Sequence, residues 1–245
     1  VPLDENRGLA HALNIGLQHC DFDVVARADC DDVSLPNRFA TIIPQFTRRS
    51  AASHTTVKSK LPIDVMGSAI REFTDDERQP GQIRMLPAEG ADLEKYARMQ
   101  SPVHHPSVVF RKSAVLAAGG YPEDAGRFED YLLWERMMLN HAQFLNMPEP
   151  LVLYRTNQEA YERRGGWDMF REELRLQWRF LRDGFTSPAQ FLRNTFIRAA
   201  YRMMPTSLRK RAYHSIVSRR NTEISAAPAP AEVQAKPRGR HAQSE

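Results

Sequence analysis

The chain has 245 residues, 42% of them hydrophobic, and a formal net charge of +4 at pH 7, which suits one large domain or a domain with an appendage. Its two cysteines, Cys20 and Cys30, exclude a disulfide scaffold and favour a reducing, cytoplasmic setting. No apolar run reaches the roughly 18 residues that a membrane span needs.

The opening VPLDENRGLA has no initiating Met and no apolar leader core. It reads like the middle of a domain, so an N-terminally incomplete chain is expected. NRGLAHALNIGLQHC sets Leu9, Leu13, Leu17 and Cys20 at helical spacing, with Asn6 as the expected cap. FDVVAR is a short buried strand. Ser34 and Pro36 mark the start of a second helix through Phe39, Ile42, Ile43 and Phe46. RRSAASHTTVKSK is a polar loop, IDVMGSAIREF one strand or two short ones, TDDERQPGQ a turn and ADLEKYARMQ a helix. HPSVVFRKSAVLAAGGY predicts a strand and then a short helix ended by Gly119 and Gly120. FEDYLLWERMMLN is a helix with its acids at the start, and NMPEPLVLYR closes with a strand. This alternation predicts an α/β domain over residues 1–155.

Residues 156–221 predict a basic helical extension built from WDMFREELRLQWRFLRDGF, PAQFLRNTFIRAAYRMM and SLRKRAYHSIVSRRN. No acid occurs between Thr186 and Asn221, whereas Arg193, Arg198, Arg202, Arg209 and Arg220 do. Basic helices that also carry Phe191, Leu192, Phe196, Ile197 and Tyr201 suit an anionic membrane surface over residues 186–221. A solvated face packed on the domain is the alternative, and nucleic acid is not expected as a partner. The Pro- and Ala-rich residues 222–245 predict a disordered tail.

Two acidic clusters carry the chemistry. RADCDDVSLPNRF places Asp29, Asp31 and Asp32 where a strand ends, which is where open α/β sheets bind ligands. Carboxylates this close repel unless a cation joins them. Hard oxygen donors suit Mg²⁺ or Mn²⁺, which would in turn hold a diphosphate. A solvated turn that caps the next helix is the plainer reading. The same run fits the strand-DxDx[TV] nucleophile motif of haloacid-dehalogenase-type phosphatases, with Asp29 attacking phosphorus. That reading also needs a lysine and an acidic pair, for which Lys112 and the pair Asp75, Asp76 are the candidates. Farther on, Glu129 and Asp130 open a helix, whose N-terminus favours ionised carboxylates. Asp130 there could take a proton from an attacking hydroxyl, or the pair could simply cap the helix.

Four segments in order, NRGLAHALNIGL, VVARADCDDVSLPNRF, HPSVVFRKSAVLAAGGY and FEDYLLWERM, resemble family 2 glycosyltransferases of the GT-A fold. The wording ARxDxDD, HPSVxFRKS and YxRRGG is similar to bacterial exopolysaccharide enzymes of the amylovoran-biosynthesis type. The resemblance covers residues 1 to about 220. It implies a mixed sheet flanked by helices, with the first strand-helix unit missing, and an inverting transfer from a nucleotide-sugar donor. The acceptor would be a glycan or a polyprenyl-diphosphate-linked sugar at the inner face of the membrane. It implies Asp31, Asp29 and Asp32 around Mg²⁺ or Mn²⁺, and Asp29, Arg27, Asn14, Arg163 and Arg164 on the donor. Asp130 would be the base, Glu129 would orient acceptor or base, and His104 and His105 would lie on the acceptor side. Many relatives place a metal-binding His near Thr156 and Asn157, and this chain has none there. A truncated, non-catalytic membrane-binding product is the remaining alternative.

Overall fold

The computed structural model describes residues 1–48, 62–156 and 166–226. Two long strands, β3 (Val65–Phe73) and β6 (Phe144–Arg155), run parallel at the centre of a mixed sheet. β1 (Val24–Ala26) pairs antiparallel with β5 (Val109–Arg111), and β5 pairs antiparallel with β3. β2 (Val33–Ser34) lies antiparallel on the far side of β6, giving the order β1-β5-β3-β6-β2. A two-residue strand, β4 (Ile83–Arg84), pairs with β3. The β3/β6 register shifts between Ser68 and Ala69, opposite Met147 and Pro150. Pro148 and Pro150 donate no ladder hydrogen bond, and an irregularity is where a strand tolerates them.

Side-chain alternation along the strands sorts the core into two layers. On one face Val65 and Phe110 meet Ala10 and Leu17 of α1 (Leu9–Gln18), Val115 of α4 (Lys112–Ala117) and Trp134 of α5 (Glu129–Leu139). On the other, Met66 and Val109 meet Ile42 and Phe46 of α2 (Arg38–Arg48). α3 (Gly90–Ala97) adds Leu93 to the first layer. The sheet is thus mixed and flanked by helices, as the family resemblance implies.

Three boundaries differ from expectation. α1 starts at Leu9 with Gly8 at its cap position, and Asn6 accepts from the Gly8 N–H at 3.0 Å, just outside the helix. Ser34 belongs to β2 opposite Val152, so α2 starts only at Arg38. β4 lies where the sequence predicts only a turn and its flank, because two residues carry no periodicity.

The C-terminal segment forms α6 (Trp167–Arg182), α7 (Pro188–Met203) and α8 (Thr206–Ala226). A reciprocal Ser187–Gln190 capping box, followed by Pro188, starts α7. These helices pack on the sheet domain rather than projecting from it. Leu176 and Phe180 of α6 join Tyr131 and Leu132 of α5 in a third cluster. From α7, Asn194 donates to the Arg98 carbonyl at 2.7 Å and to Gln177 Oε1 at 3.1 Å. From α8, the Asn221 side chain donates to the Ile83 carbonyl at 2.6 Å and accepts from the Met85 N–H at 3.1 Å, as a neighbouring strand would.

Candidate active site

The acidic turn after β1 first meets its positive charge in arginine. Arg27 Nη2 lies 2.8 Å from Asp29 Oδ1. Beneath the turn, Arg38 is 1% exposed and donates to the Arg27 carbonyl at 2.7 Å and to Ser34 Oγ at 2.8 Å. Its charge acts on both Asp32 and Asp29. At the end of β6 the Arg155 main-chain N–H donates to Asp32 Oδ1 at 2.8 Å, and its guanidinium donates to the carbonyls of Asp31 and Thr74, both at 3.1 Å. That guanidinium also stacks on Phe73, 4.4 Å from the ring centre.

Compensation is incomplete. Burial, joined by the charges of Asp29 and Asp31, pushes the Asp32 carboxyl up to about 6 against the Arg155 N–H. Burial raises Asp29 as well. Asp32 Oδ2 is buried without a hydrogen-bond partner, while Asp31 is exposed. Among the described residues no three His, Cys, Asp or Glu side chains converge on one point. The turn therefore fits an ion that takes one or two carboxylates and completes its shell with water and phosphate oxygens, which is the habit of Mg²⁺. Thr156, near which the resemblance implies a metal-binding His in many relatives, hydrogen-bonds the Phe73 carbonyl through N–H and hydroxyl.

Asp130 sits in the first turn of α5. Its Oδ1 accepts from the Tyr131 N–H at 2.7 Å, and its Oδ2 lies 3.9 Å from His105 Nδ1. Burial, then the neighbouring Glu129 charge, push its carboxyl up to about 7. Glu129 is itself buried and raised by that burial. His105 Nε2 is 3.1 Å from the Tyr121 hydroxyl, and its ring meets Trp134 edge-on. Burial holds His104 and His105 well below the ordinary imidazole range, so both are neutral at pH 7. Ser107 fixes this turn to β3 by donating to the Ser68 carbonyl and accepting from the Ser68 N–H, each at 3.1 Å.

One cavity of about 550 Å³ brings the clusters together, with Arg27, Asp29, His104, His105 and Asp130 all on its walls. Glu129 is not among the lining side chains, and its charge acts on Asp130 and on Tyr121. Asn14 is elsewhere: its amide donates to the Tyr121 carbonyl and accepts from the Tyr121 N–H, both at 2.8 Å. It braces the residue behind His105 and does not face the cavity. Arg163, Arg164 and Asn157 lie outside the described residues.

The phosphatase reading fails on its lysine. Lys112 adjoins the opposite end of β1, where its ammonium donates to the Cys20 carbonyl at 2.8 Å. Asp75 and Asp76 are exposed in the β3–β4 turn.

The match to known proteins agrees. Residues 1–114 match the model of "Glycosyl transferase family 2". A "UDP-Gal:alpha-D-GlcNAc-diphosphoundecaprenol beta-1,3-galactosyltransferase" of Escherichia coli is 33% identical over 217 residues, which cover 89% of this chain and 74% of that protein. The chain belongs to glycosyl transferase family 2. Another relative, amylovoran biosynthesis glycosyltransferase AmsE of Erwinia amylovora, is 34% identical over 216 residues, 87% of this chain and 75% of AmsE. A solved mannosyltransferase, PcManGT from Pyrobaculum calidifontis in complex with GDP-Man and Mn2+, superposes with a TM-score of 0.47 at 16% identity. It covers 94% of this chain and 58% of that one, too loosely to bear on the chemistry. The family model ends before Asp130, so the candidate base of this glycosyltransferase comes from the part that the model does not reach.

Sequence reasoning missed the other wall of the cavity. Arg84, Tyr96, Arg198, Arg202 and Arg220 line it, three of them from the C-terminal helices. A signal for part of this exists: Asn194, Arg198 and Arg202 recur every fourth residue on α7, as Glu173 and Gln177 do on α6, and such stripes face each other when helices pack.

Proposed function

We propose that this glycosyltransferase moves one sugar, with inversion, from a nucleotide-sugar to a hydroxyl of a glycan or polyprenyl-diphosphate-linked acceptor in surface-polysaccharide synthesis. The observation that carries the reading is the shared cavity: Asp29 and Asp130, 101 residues apart in sequence, line the same space. The E. coli relative is named for a diphosphoundecaprenol-linked acceptor, which supports the lipid-linked class.

Asp130 in its ionised form takes the proton of the acceptor hydroxyl. The oxygen then bonds the anomeric carbon from the face opposite the diphosphate, whose C–O bond breaks with the electron pair leaving on oxygen. Neutral His105, held by Tyr121 and packed on Trp134, fixes the surroundings of the base without neutralising it. Arg27 stands where negative charge grows on the leaving group. Asp31 and Asp29, with Asp32, would hold Mg²⁺ or Mn²⁺, which when bound supplies positive charge to the departing diphosphate. Residues 1–155 thus carry donor turn and base, and α6, α7 and α8 roof them.

Membrane contact at the roof is supported by exposed Leu192 and Phe196, flanked by exposed Arg193. Arg198 and Arg202 turn inward to Glu173, Arg209 is buried and Arg220 turns to Tyr96, so they are not part of that surface. No described helix is long and apolar enough to cross a membrane.

The test is a screen of nucleotide-sugars with Mn²⁺ and a polyprenyl-diphosphate-linked sugar. One donor should release nucleoside diphosphate, and chelation should stop the release. Release by no donor would defeat the transfer reading; indifference to chelator would defeat the metal assignment alone.

A further inference from the structure

The candidate base has a neighbour whose single proton can sit on either of two nitrogens. His105 Nδ1 lies 3.9 Å from Asp130 Oδ2, and His105 Nε2 lies 3.1 Å from the Tyr121 hydroxyl. In a neutral imidazole, the partner at one nitrogen fixes what the other nitrogen does. His105 and Tyr121 are both buried, and Tyr121 does not line the cavity. Among the described residues, His105 is the only hydrogen-bond partner of the Tyr121 hydroxyl.

One tautomer uses every proton and the other does not. With the proton on Nδ1, the Tyr121 O–H donates to Nε2, and Nδ1–H is aimed at Asp130 Oδ2. With the proton on Nε2, the Tyr121 oxygen has to accept, and its own buried O–H is left without an acceptor among the described residues. An orphaned buried donor costs its full desolvation. The bare Nδ1 lone pair would also face a carboxyl oxygen, which favours a proton on Asp130 and so blocks the base. Asp130 Oδ1 is already engaged by the Tyr131 N–H at 2.7 Å, so Oδ2 is the oxygen open to a sugar hydroxyl. A carboxylate oxygen has room for two donors, here Nδ1–H and that hydroxyl. The 3.9 Å gap is longer than a hydrogen bond; active sites without substrate often hold such pairs long and close them on binding. Packing keeps the imidazole from turning over, with the Tyr121 and Trp134 rings 5.6 and 5.9 Å away, centre to centre. Tyr121 is held in turn by its two main-chain hydrogen bonds with the Asn14 amide.

Resting on the transfer reading above, we infer that Tyr121 is a positioning residue for the base: its hydroxyl donates to His105 Nε2, which keeps the His105 proton on Nδ1, facing Asp130 Oδ2, and so favours the ionised, proton-accepting carboxylate. Tyr121 acts only through His105 and touches no substrate. The charges that act on Asp130 are Glu129 beside it on α5, which opposes ionisation, and Arg27 from the turn after β1, which favours it. Burial opposes ionisation more than either, so a hydrogen bond to the charged form decides how much base exists near neutral pH.

Two measurements on the full chain test this. The first reads the imidazole nitrogen NMR shifts of His105 in the unaltered protein near neutral pH, with the His105 signal identified by its absence in H105N. The inference expects a protonated Nδ1 and a bare Nε2; a proton on Nε2 would overturn it. The second compares kcat/KM against pH for the parent and Y121F, which loses the hydroxyl and keeps the ring against His105. The acid limb of Y121F should move up by about one pH unit. Transfer should therefore fall about tenfold below pH 6 and stay within about twofold above pH 9, with KM for the donor unchanged. An acid limb that does not move, whatever happens to the plateau, would mean that Tyr121 only packs, and would overturn the inference too. The NMR reading uses the unaltered protein, so it decides even if Y121F fails to fold. It also needs no turnover: a wrong tautomer sinks this inference alone, whereas the right tautomer without transfer from any donor sinks the transfer reading beneath it.

Discussion

Replacing Asp130 by Asn separates its cost to the fold from its use in transfer. The amide keeps an oxygen for the Tyr131 N–H, so the local hydrogen bond survives. The carboxyl is raised from 3.8 to about 7, chiefly by burial. At roughly 1.4 kcal/mol per pH unit, ionising it in the folded chain costs at most about 4 kcal/mol. The side chain is 21% exposed, so water shares the charge and about 2 kcal/mol is the working figure. Between pH 4 and pH 7 the unfolded chain has released this proton while the folded chain still holds it. The contribution of Asp130 to stability therefore falls as pH rises through that window and levels off above pH 7. D130N should match the parent near pH 3.5 and exceed it by about 2 kcal/mol at pH 8.5, read by urea unfolding at each pH. Transfer should fall by about 10²- to 10⁴-fold, the usual worth of a general base, with nucleotide affinity retained. In the parent, kcat/KM should rise with pH to a plateau above about 7. A variant that transfers normally would refute the assignment of the base, and one that gains no stability at pH 8.5 would refute the burial argument.

Three further outcomes follow from other contacts. Arg38→Met removes the buried cation beneath Asp29 and Asp32 and should cost about 3 kcal/mol at pH 7.5 in urea unfolding. Part of that deficit should vanish below pH 5, once Asp32 is protonated. Gly120→Ala places a side chain at φ +72°, with its Cβ 2.8 Å from Asn14 Oδ1. It should lose about 2 kcal/mol, and a loss under 0.5 kcal/mol would mean that the Asn14–Tyr121 clamp is slack. Leu192→Ser with Phe196→Ser should leave the melting temperature unchanged and cut flotation with anionic vesicles about tenfold, because both side chains are largely exposed. Unchanged flotation would place any membrane contact elsewhere.

Much of the fold was legible because it is periodic. Leu13 and Leu17 spell out α1, Leu133 and Met137 spell out α5, and the alternation in β3 separates Val65 from Met66 onto opposite layers. The two acidic motifs were legible because carboxylates seldom cluster without a purpose. What stayed hidden depends on pairings between distant segments. Nothing in the sequence marks Arg38 as a buried cation, since an arginine in a helix's first turn normally faces water. Nothing marks Arg155 as the clamp on Asp32, which is 123 residues away. The sequence shows the summed charge of the basic C-terminal run but not its direction: Arg198, Arg202 and Arg220 line the cavity, and Arg193 is exposed.

The cavity joins Arg27, near the start of the chain, to Arg220, close to the end of its last described helix. During synthesis the donor turn emerges from the ribosome long before α8 does. Until that helix docks against Glu72 and β4, the cavity lacks the part of its wall that Tyr213, Ile216, Val217 and Arg220 supply. Order of synthesis thus sets the order in which the cavity is assembled, and on the proposed function a protease cut within α8 should lower transfer without touching a reacting group.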